Sequence, residues 1–338
     1  MNVHFAALLT PLSVWLGSRI GGPGNFAGLV LAAVLVPVFD RLLAERERDE
    51  HGHSLAHSIA LWAFVPAQLA LLVQALQLAS SGTLGAFEWT VFALSVGFSG
   101  GAGFTVAHEL IHRKGRAERG LGLLLLFSVS YPHYRVEHVF GHHRKVATPD
   151  DPATGRFGES LYAFWLRCIP TSYSSAWQIE NRRVGAFSPH HRMWHYLLAH
   201  AVSIAAVVVF AGPSGLAFFL AQGLVAVLLL ETINYVEHYG LERKQKPSGE
   251  YEPYAAHHSW DSGHRFTNAF YYNVGRHSHH HQSPFTGYPE LKVLPQAPRL
   301  PLGYASMLPL ALVPALWRRV MHPRIAALTR KPGEAAPA

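Results

Sequence analysis

The sequence predicts an all-α, polytopic membrane protein with six transmembrane helices, and three observations support this prediction. Only 14% of the 338 residues are charged, whereas soluble domains carry about 25%. Long stretches contain no Asp, Glu, Lys or Arg. Histidine is unusually frequent, because its 23 copies outnumber the 21 acidic residues, and this excess indicates metal chemistry rather than packing. Together these features exclude a disordered chain, a disulfide scaffold and a soluble nucleotide-binding enzyme.

Six of the uncharged stretches approach the ~20 residues that a bilayer crossing needs. A charged side chain at the centre of such a helix costs about 2.5–3.5 kcal/mol, so the lack of charge is informative. Gly-Pro-Ser-Gly at 212–215 divides the longest stretch into two helices. Two further apolar stretches are not predicted to span. Residues 120–134 are too short and are predicted to form a helix that lies in the interface or is buried against the bundle. Residues 300–317 are interrupted by proline and are predicted to be interfacial. The predicted spans are residues 3–18, 25–40, 57–79, 88–108, 194–211 and 215–237.

The distribution of basic residues predicts the orientation. Most Lys and Arg lie in segments 109–193 and 238–330, whereas the turns 80–88 and 212–215 contain none. The positive-inside rule places the basic segments and both termini in the cytoplasm, which predicts a multi-pass protein of the inner membrane. The net charge of +7 is then explained by topology, and we predict no nucleic-acid partner. Residues 1–330 are treated as one membrane-embedded domain.

The last residues differ from this domain. The segment 331–338 is short and consists mainly of alanine and proline. We predict that they form a disordered tail.

Histidine is concentrated in four clusters next to the predicted spans on the cytoplasmic side. They read HELIH at 108–112, EHVFGHH at 137–143, NYVEH at 234–238 and RHSHHH at 276–281. Histidines that are four residues apart share one face of a helix. The clusters supply nine candidate metal ligands: His108, His112, His138, His142, His143, His238, His277, His280 and His281.

Each cluster alone is a weak signal. HExxH on a helix is typical of zinc proteases, and a lone histidine at the end of a span is commonly a hydrogen-bonded interfacial residue. Because one zinc needs three or four ligands, nine imidazoles on one side of the membrane favour two metal ions. Imidazole binds iron, copper, nickel and zinc alike, so the ligand type does not choose the metal.

The four clusters resemble those of the membrane-bound alkane monooxygenases, the AlkB-type alkane omega-hydroxylases. ATPDDPAT at 147–154, GES at 158–160 and HHSW at 257–260 resemble the same family. The resemblance covers roughly residues 26–325, and NYVEHYG at 234–240 separates this family from the wider group of desaturases and hydroxylases. His279 departs from the family pattern, which usually has Asp at this position.

The resemblance implies a non-haem di-iron enzyme. Such an enzyme uses O2 to hydroxylate the terminal C–H of medium- to long-chain n-alkanes, which gives 1-alkanols. The nine histidines would hold two iron ions, and no catalytic residue beyond these ligands is implied. Each ligand should donate its second ring N–H to an acceptor, for which Glu109, Glu137 and Glu237 are candidates. Pairing of these glutamates with nearby arginines is the alternative.

An n-alkane has no polar group, so its binding would rest on burial. In the second span, Ala32, Ala33 and Val34 predict a channel wall without aromatic side chains, which leaves room for a long substrate. The resemblance also implies two electrons from rubredoxin, which a rubredoxin reductase supplies. Cys168 is the single cysteine, so the chain has no built-in iron–sulfur module.

The cytoplasmic segments contain basic residues that are candidates for docking an acidic electron donor. Their positive charge could also reflect membrane topology alone. The candidates are Arg113, Lys114, Arg144 and Lys145.

Other readings of the clusters remain open. A related di-iron hydroxylase could act on aromatic methyl groups, or the protein could be a fatty acyl desaturase. A membrane zinc protease would bind about one zinc per chain and give no role to the cluster at 276–281. A metal transporter would place ionisable residues along a path inside the spans, where only His200 lies mid-span.

Overall fold

The protein is described by a computed structural model, which covers residues 3–43, 45 and 52–329. These residues form helices joined by loops, with isolated β-bridges and no sheet. The predicted tail 331–338 lies outside the described residues. The helices are α1 (Leu9–Ile20), α2 (Gly22–Leu42), α3 (Leu55–Ser80), α4 (Ala86–His112), α5 (Arg116–Ser128), α6 (134–145), α7 (Leu161–Val184), α8 (192–211), α9 (213–238), α10 (Arg265–Phe270), α11 (His277–Gln282), α12 (Tyr304–Ala311) and α13 (Pro314–Thr329).

Among the described residues, four helical runs are long and apolar enough to cross a membrane, and they contain five of the six predicted spans. They are α2, α3, α4 and the 47-residue run Arg192–His238. That run breaks at Gly212, whose φ of +63° is not helical, so it comprises α8 and α9. Pro213 then suits the first turn of α9, because that position needs no N–H donor. The first predicted span corresponds to a 3-10 turn, Val3–Leu8, followed by α1.

Helix α4 is the centre of the bundle and is the most buried of these runs. It packs against α9, α5 and α3. Close approach of α9 depends on small residues: a Cβ added at Gly97 would lie 2.5 Å from Val225 Cβ, and one added at Gly101 would lie 2.9 Å from Leu229 Cδ1. Small residues at helix interfaces let backbones approach closely in membranes. Helices α4 and α9 therefore end side by side, and each ends in a predicted histidine cluster.

The C-terminal helices cover the same end of the bundle. Trp317 and Met321 of α13 are fully buried and form one apolar cluster with Tyr235 and Tyr239. Leu161 at the start of α7 belongs to the same cluster. This packing fixes the loops between α9 and α12 against the ends of α4 and α9, where all four histidine clusters meet.

Candidate metal centre

The structure brings all nine predicted histidines together in two adjoining groups. Within each group, the ligand nitrogens lie within 4.8 Å of one another. The rings of His143 and His281, one from each group, have centroids 4.6 Å apart. The five-histidine group contains His108, His112, His138, His143 and His280. The four-histidine group contains His142, His238, His277 and His281.

The Nε2 atoms of the five-histidine group converge on one point. His138 Nε2 and His143 Nε2 lie 3.1 and 3.2 Å from His112 Nε2, and 3.1 Å from each other. His280 Nε2 lies 3.1 Å from His143 Nε2. Neutral imidazoles each carry one N–H and one lone pair, so hydrogen bonds cannot satisfy all of these contacts at once. Two nitrogens that bind one ion at about 2.1 Å are separated by about 3.0–3.4 Å, which matches the spacing.

The four-histidine group has the same geometry. His277 Nε2 lies 3.1 Å from His238 Nε2, and His281 Nε2 lies 3.0 Å from His277 Nε2. The ring of His142 completes the group, with centroids 4.9 Å from those of both His238 and His281. Four buried nitrogens facing one another form a second metal-sized cluster.

A π-helical turn at His138–His142 in α6 decides which histidines share a group. The i, i+4 rule predicts that His138 and His142 share a face, but the structure assigns them to different groups. The N–H of His143 donates to the carbonyl oxygens of His138 and Gly141, and the bond to His138 is the i→i+5 bond of a π turn. The wider turn therefore pairs His138 with His143, and His142 faces the other group.

The chemistry of these residues fits a pair of metal ions. His108 Nε2 and His142 Nε2 are buried and have no hydrogen-bond partner among the described residues, as is expected for ligand atoms. Burial lowers the pKa of His138, His143 and His280 well below the ordinary value for histidine. These imidazoles are neutral at pH 7, and neutral imidazole is the form that binds metals.

Asp151 orients one of the histidines, and the sequence analysis did not assign it a role. His142 Nδ1 lies 2.9 Å from Asp151 Oδ2, which directs His142 Nε2 toward its group. Thr154 Oγ1 donates to the same oxygen at 2.6 Å. Burial raises the pKa of Asp151, but His142 and these hydrogen bonds more than offset burial, so its pKa is lowered. The available signal was its position in the family-like segment 147–154.

The three predicted glutamate acceptors differ in their partners. Glu237 Oε1 lies 3.3 Å from His277 Nδ1 and accepts a hydrogen bond from the Tyr304 hydroxyl at 3.2 Å. Glu109 instead forms an ion pair of 2.7 Å with Arg113, which is the alternative that the sequence left open.

Glu137 is also buried and accepts a 3.3 Å hydrogen bond from Ser175 Oγ. Burial and the nearby Asp151 raise the pKa of Glu137 to about 8. Glu137 is therefore mainly protonated at pH 7. His238 Nδ1 has a hydroxyl partner instead of a carboxylate, Ser259 Oγ at 3.2 Å.

Two histidine features lie outside the two groups. His279, which stands where the family that the sequence resembles usually has Asp, belongs to neither group. Its Nδ1 accepts the backbone N–H of Lys292 at 3.1 Å. Glu252, His257 and His258 form a third cluster of possible ligands. His258 Nδ1 accepts the N–H of Ala255 at 2.9 Å, so in a neutral ring the proton is on Nε2, which faces Glu252 at 3.3 Å. Hydrogen bonds therefore account for the positions of His258 and Glu252 in this cluster.

An apolar cavity of about 260 Å3 leads toward the histidines. It lies among α2, α4, α9 and α12, and Ala32 and Ala33 line it. Val34 faces outward, with 50% of its surface exposed. Val274 lines the cavity and also two small spaces, of about 10 and 20 Å3, that border His108 and His277. Tyr271 and Ile233 each border the apolar cavity and one of these spaces, and Val274 borders all three.

The four basic residues predicted to dock a donor are not equally available. Lys114 and Arg144 are exposed, and Lys145 is half-buried. The guanidinium of Arg113 pairs with Glu109, and 19% of its side chain is exposed.

Comparison with known proteins identifies the class first. The sequence profile of the family described as fatty acid desaturase matches residues 87–309, more than half of the chain. Together with the histidine groups, this match defines an oxidoreductase of the fatty acid desaturase family with a candidate metal centre formed by histidines.

The relatives are more specific. Alkane 1-monooxygenase 2 of Pseudomonas aeruginosa is 37% identical over 346 residues, which cover 95% of this chain and 90% of the relative. Alkane 1-monooxygenase of Pseudomonas putida is 34% identical, over 94% of this chain and 82% of the relative. The hydroxylase component of a xylene/toluene monooxygenase from Pseudomonas putida is 28% identical over 63% of this chain and 57% of the relative. The chain belongs to the alkane 1-monooxygenases.

Proposed function

We propose that this enzyme hydroxylates the terminal carbon of medium- to long-chain n-alkanes at a di-iron centre, with electrons from rubredoxin. The observation that carries the proposal is the position of Val274. This residue lines a cavity with an apolar lining and also the two small spaces that border His108 and His277, which belong to different histidine groups. The arrangement suits a substrate without polar groups that presents one end to a metal pair.

The overall reaction is balanced by R–CH3 + O2 + 2e− + 2H+ → R–CH2OH + H2O. Two iron ions, held by the five-histidine and the four-histidine groups, would supply the activation of O2. Imidazole ligands would bind the ions without adding negative charge. Asp151 accepts the ring N–H of His142 on the outer side of the centre, which fixes how His142 presents its Nε2 atom. Glu237 Oε1 lies 3.3 Å from His277 Nδ1 and would be the corresponding acceptor for that ring.

Substrate binding follows from burial alone. Each CH2 removed from water contributes about 0.8 kcal/mol, and an alkane dissolved in the bilayer would enter the cavity between spans. Ala32 and Ala33 leave the α2 wall of the cavity open. The backbone there is a π-helical segment, Leu31–Leu35, which precedes Pro37. Chain-length preference would depend on this wall, and the end near Val274 would hold the reacting carbon.

The described chain does not supply a cysteine-ligated electron carrier of its own, so the proposal includes a separate electron donor. Cys168 is the single cysteine, and its thiol is buried and donates to Glu231 Oε2 at 2.9 Å. A rubredoxin, reduced by its reductase, fits this requirement. Arg113, Lys114, Arg144 and Lys145 would attract an acidic donor toward the cytoplasmic end of the bundle.

The same proposal includes the location. The proposed topology has six crossings with both termini in the cytoplasm, in the inner membrane, as the positive-inside rule predicts. Five of these crossings correspond to the apolar helices α2, α3, α4, α8 and α9, and the other would be formed by Val3–Leu8 and α1. Residues 1–330 then act as one membrane-embedded domain. All four histidine clusters lie at the cytoplasmic end.

Two measurements test the proposal. Elemental analysis of the purified protein should give two irons per chain, and one zinc per chain would refute it in favour of a zinc enzyme. Turnover with purified rubredoxin and its reductase should convert n-alkanes to 1-alkanols. Exclusive oxidation of xylene methyl groups, or desaturation of acyl chains, would identify a related enzyme of the family instead.

A further inference from the structure

We propose that the loop 283–287, with Phe285 at its centre, is the surface on which the electron donor docks, and that the donor is a small acidic protein. The inference deepens the proposed function and rests on it. It names the point of electron entry, which neither the sequence clusters nor the relatives specify.

Phe285 is both exposed and in contact with the metal centre. Its surface is 72% exposed, and its ring meets His112 edge-on, with centroids 6.4 Å apart. His112 belongs to the five-histidine group. The loop follows α11, which supplies His277, His280 and His281. A protein that packs against Phe285 is therefore one side chain away from a metal-binding imidazole.

Polar residues surround Phe285 along the chain. Gln282, at the end of α11, is exposed, and the other residues of the loop, Ser283, Pro284, Thr286 and Gly287, are half-buried. An aromatic side chain exposed among polar residues is typical of the centre of a protein interface. Electron-transfer complexes are small and transient, so a single aromatic anchor is sufficient for such a surface.

Positive charge borders the loop. A Cβ added at Gly287 would lie 3.3 Å from Arg113 Nη2, so Arg113 lies against the loop. Lys114 follows it in the chain and is exposed, and Arg119 Nη1 donates to the carbonyl oxygen of Arg113 at 3.1 Å. Lys292 is also exposed.

The acids of the region offset only part of this charge. Glu109 is buried in its ion pair with Arg113. Glu118 is half-buried, and Glu290 is exposed. The basic border steers an acidic partner toward the loop, and Phe285 then provides the apolar contact. Each docked donor passes one electron and leaves oxidised, so two docking events supply one turnover.

The test compares Phe285→Ala with wild type in lipid nanodiscs, with the metal-loaded enzyme and a range of rubredoxin concentrations. Loss of an interface anchor should raise the KM for rubredoxin about 10- to 30-fold. The direct Kd for rubredoxin should rise by a similar factor. Iron content and the KM for n-alkane should not change. Phe187→Ala is the matched control, because Phe187 is 93% exposed in the loop between α7 and α8, which supplies none of the nine candidate ligands.

The outcomes separate this inference from the proposed function. If wild type does not turn over with rubredoxin, the proposed function fails. If wild type turns over but Phe285→Ala keeps the wild-type KM and Kd, or if Phe187→Ala weakens the donor equally, the docking surface is wrong. A changed alkane KM with an unchanged donor Kd would also overturn it, because Phe285 would then act as a membrane contact.

Discussion

Asp151 offers a sharp test of the metal centre, because it reaches only one of the two groups. Its carboxylate is buried and receives His142 Nδ1 at 2.9 Å and Thr154 Oγ1 at 2.6 Å on the same oxygen. The substitution Asp151→Asn keeps the shape but removes the charge. If the amide oxygen replaces Oδ2, the amide nitrogen faces the backbone N–H of Ala153, which now donates to Asp151 Oδ1 at 3.2 Å. In the opposite orientation the amide nitrogen cannot accept from His142 or Thr154. We expect His142 to lose its fixed orientation.

The expected size follows from the lost interaction. A hydrogen bond to a charged group contributes about 1.5–3 kcal/mol, and changes in the residues that orient metal ligands lower affinity or activity about 10- to 100-fold. Because His142 belongs to the four-histidine group, the loss should affect one metal. Asp151→Asn should retain about one iron per chain, with activity reduced by about 10- to 100-fold.

The assay is iron content per chain together with alkane turnover, in protein whose helicity and thermal unfolding match wild type. Asp150→Asn is the matched control, because Asp150 precedes Asp151 but is exposed. Two irons and full activity in Asp151→Asn would refute the role of the carboxylate. Equal losses in both variants would show that charge in this segment, rather than the contact with His142, is responsible.

Three further predictions address the cavity and the pH dependence. Val274→Phe should block the passage between the apolar cavity and the histidines and lower kcat/KM for n-alkanes at least about tenfold. An unchanged iron content in Val274→Phe, together with retained activity in Val274→Ala, would show that the centre is intact. Ala33→Trp should shift products toward shorter alkanes, whereas Val34→Trp, on the outer face, should not; an unchanged chain-length profile in Ala33→Trp would remove the channel assignment. Burial lowers the pKa of His133 to about 3, below its unfolded value of about 6.5. As the pH falls, His133 is therefore protonated in the unfolded state at a higher pH than in the folded state. This difference should lower the free energy of unfolding progressively below about pH 6.5, by about 2 kcal/mol at pH 5. Thermal unfolding from pH 7 to pH 5 should show a smaller loss in His133→Phe, and equal losses would contradict the shift.

The sequence was informative where a signal was local. Stretches without charge correspond to α2, α3, α4, α8 and α9, because each apolar helix must be long enough to cross the bilayer by itself. The break at Gly212 was predictable, since glycine and proline interrupt helices through their own backbone preferences. The nine histidines were identifiable because they recur at short spacing in otherwise apolar or structured segments.

The arrangement of the ligands was not predictable from spacing, because it depends on one irregular turn. His138 and His142 satisfy the i, i+4 rule, yet the π turn pairs His138 with His143. Asp151 was missed for a related reason. Its contact with His142 crosses a loop in which Thr154 and the backbone N–H of Ala153 also bind the carboxylate. Such contacts have no periodicity in the sequence.

The π turn also explains how two metal-sized groups stay adjacent. His142 and His143 are consecutive in the chain but belong to different groups, and the same holds for His280 and His281. Each pair of consecutive residues therefore spans the boundary between the groups, so covalent geometry limits the separation of the two metals. Helices α4 and α9 add ligands to one group each, His108 and His112 to the first and His238 to the second. Movement of α4 relative to α9 would therefore displace the ligands of one group relative to those of the other. The close packing of α4 against α9 at Gly97 and Gly101 thus helps to hold the two groups in place.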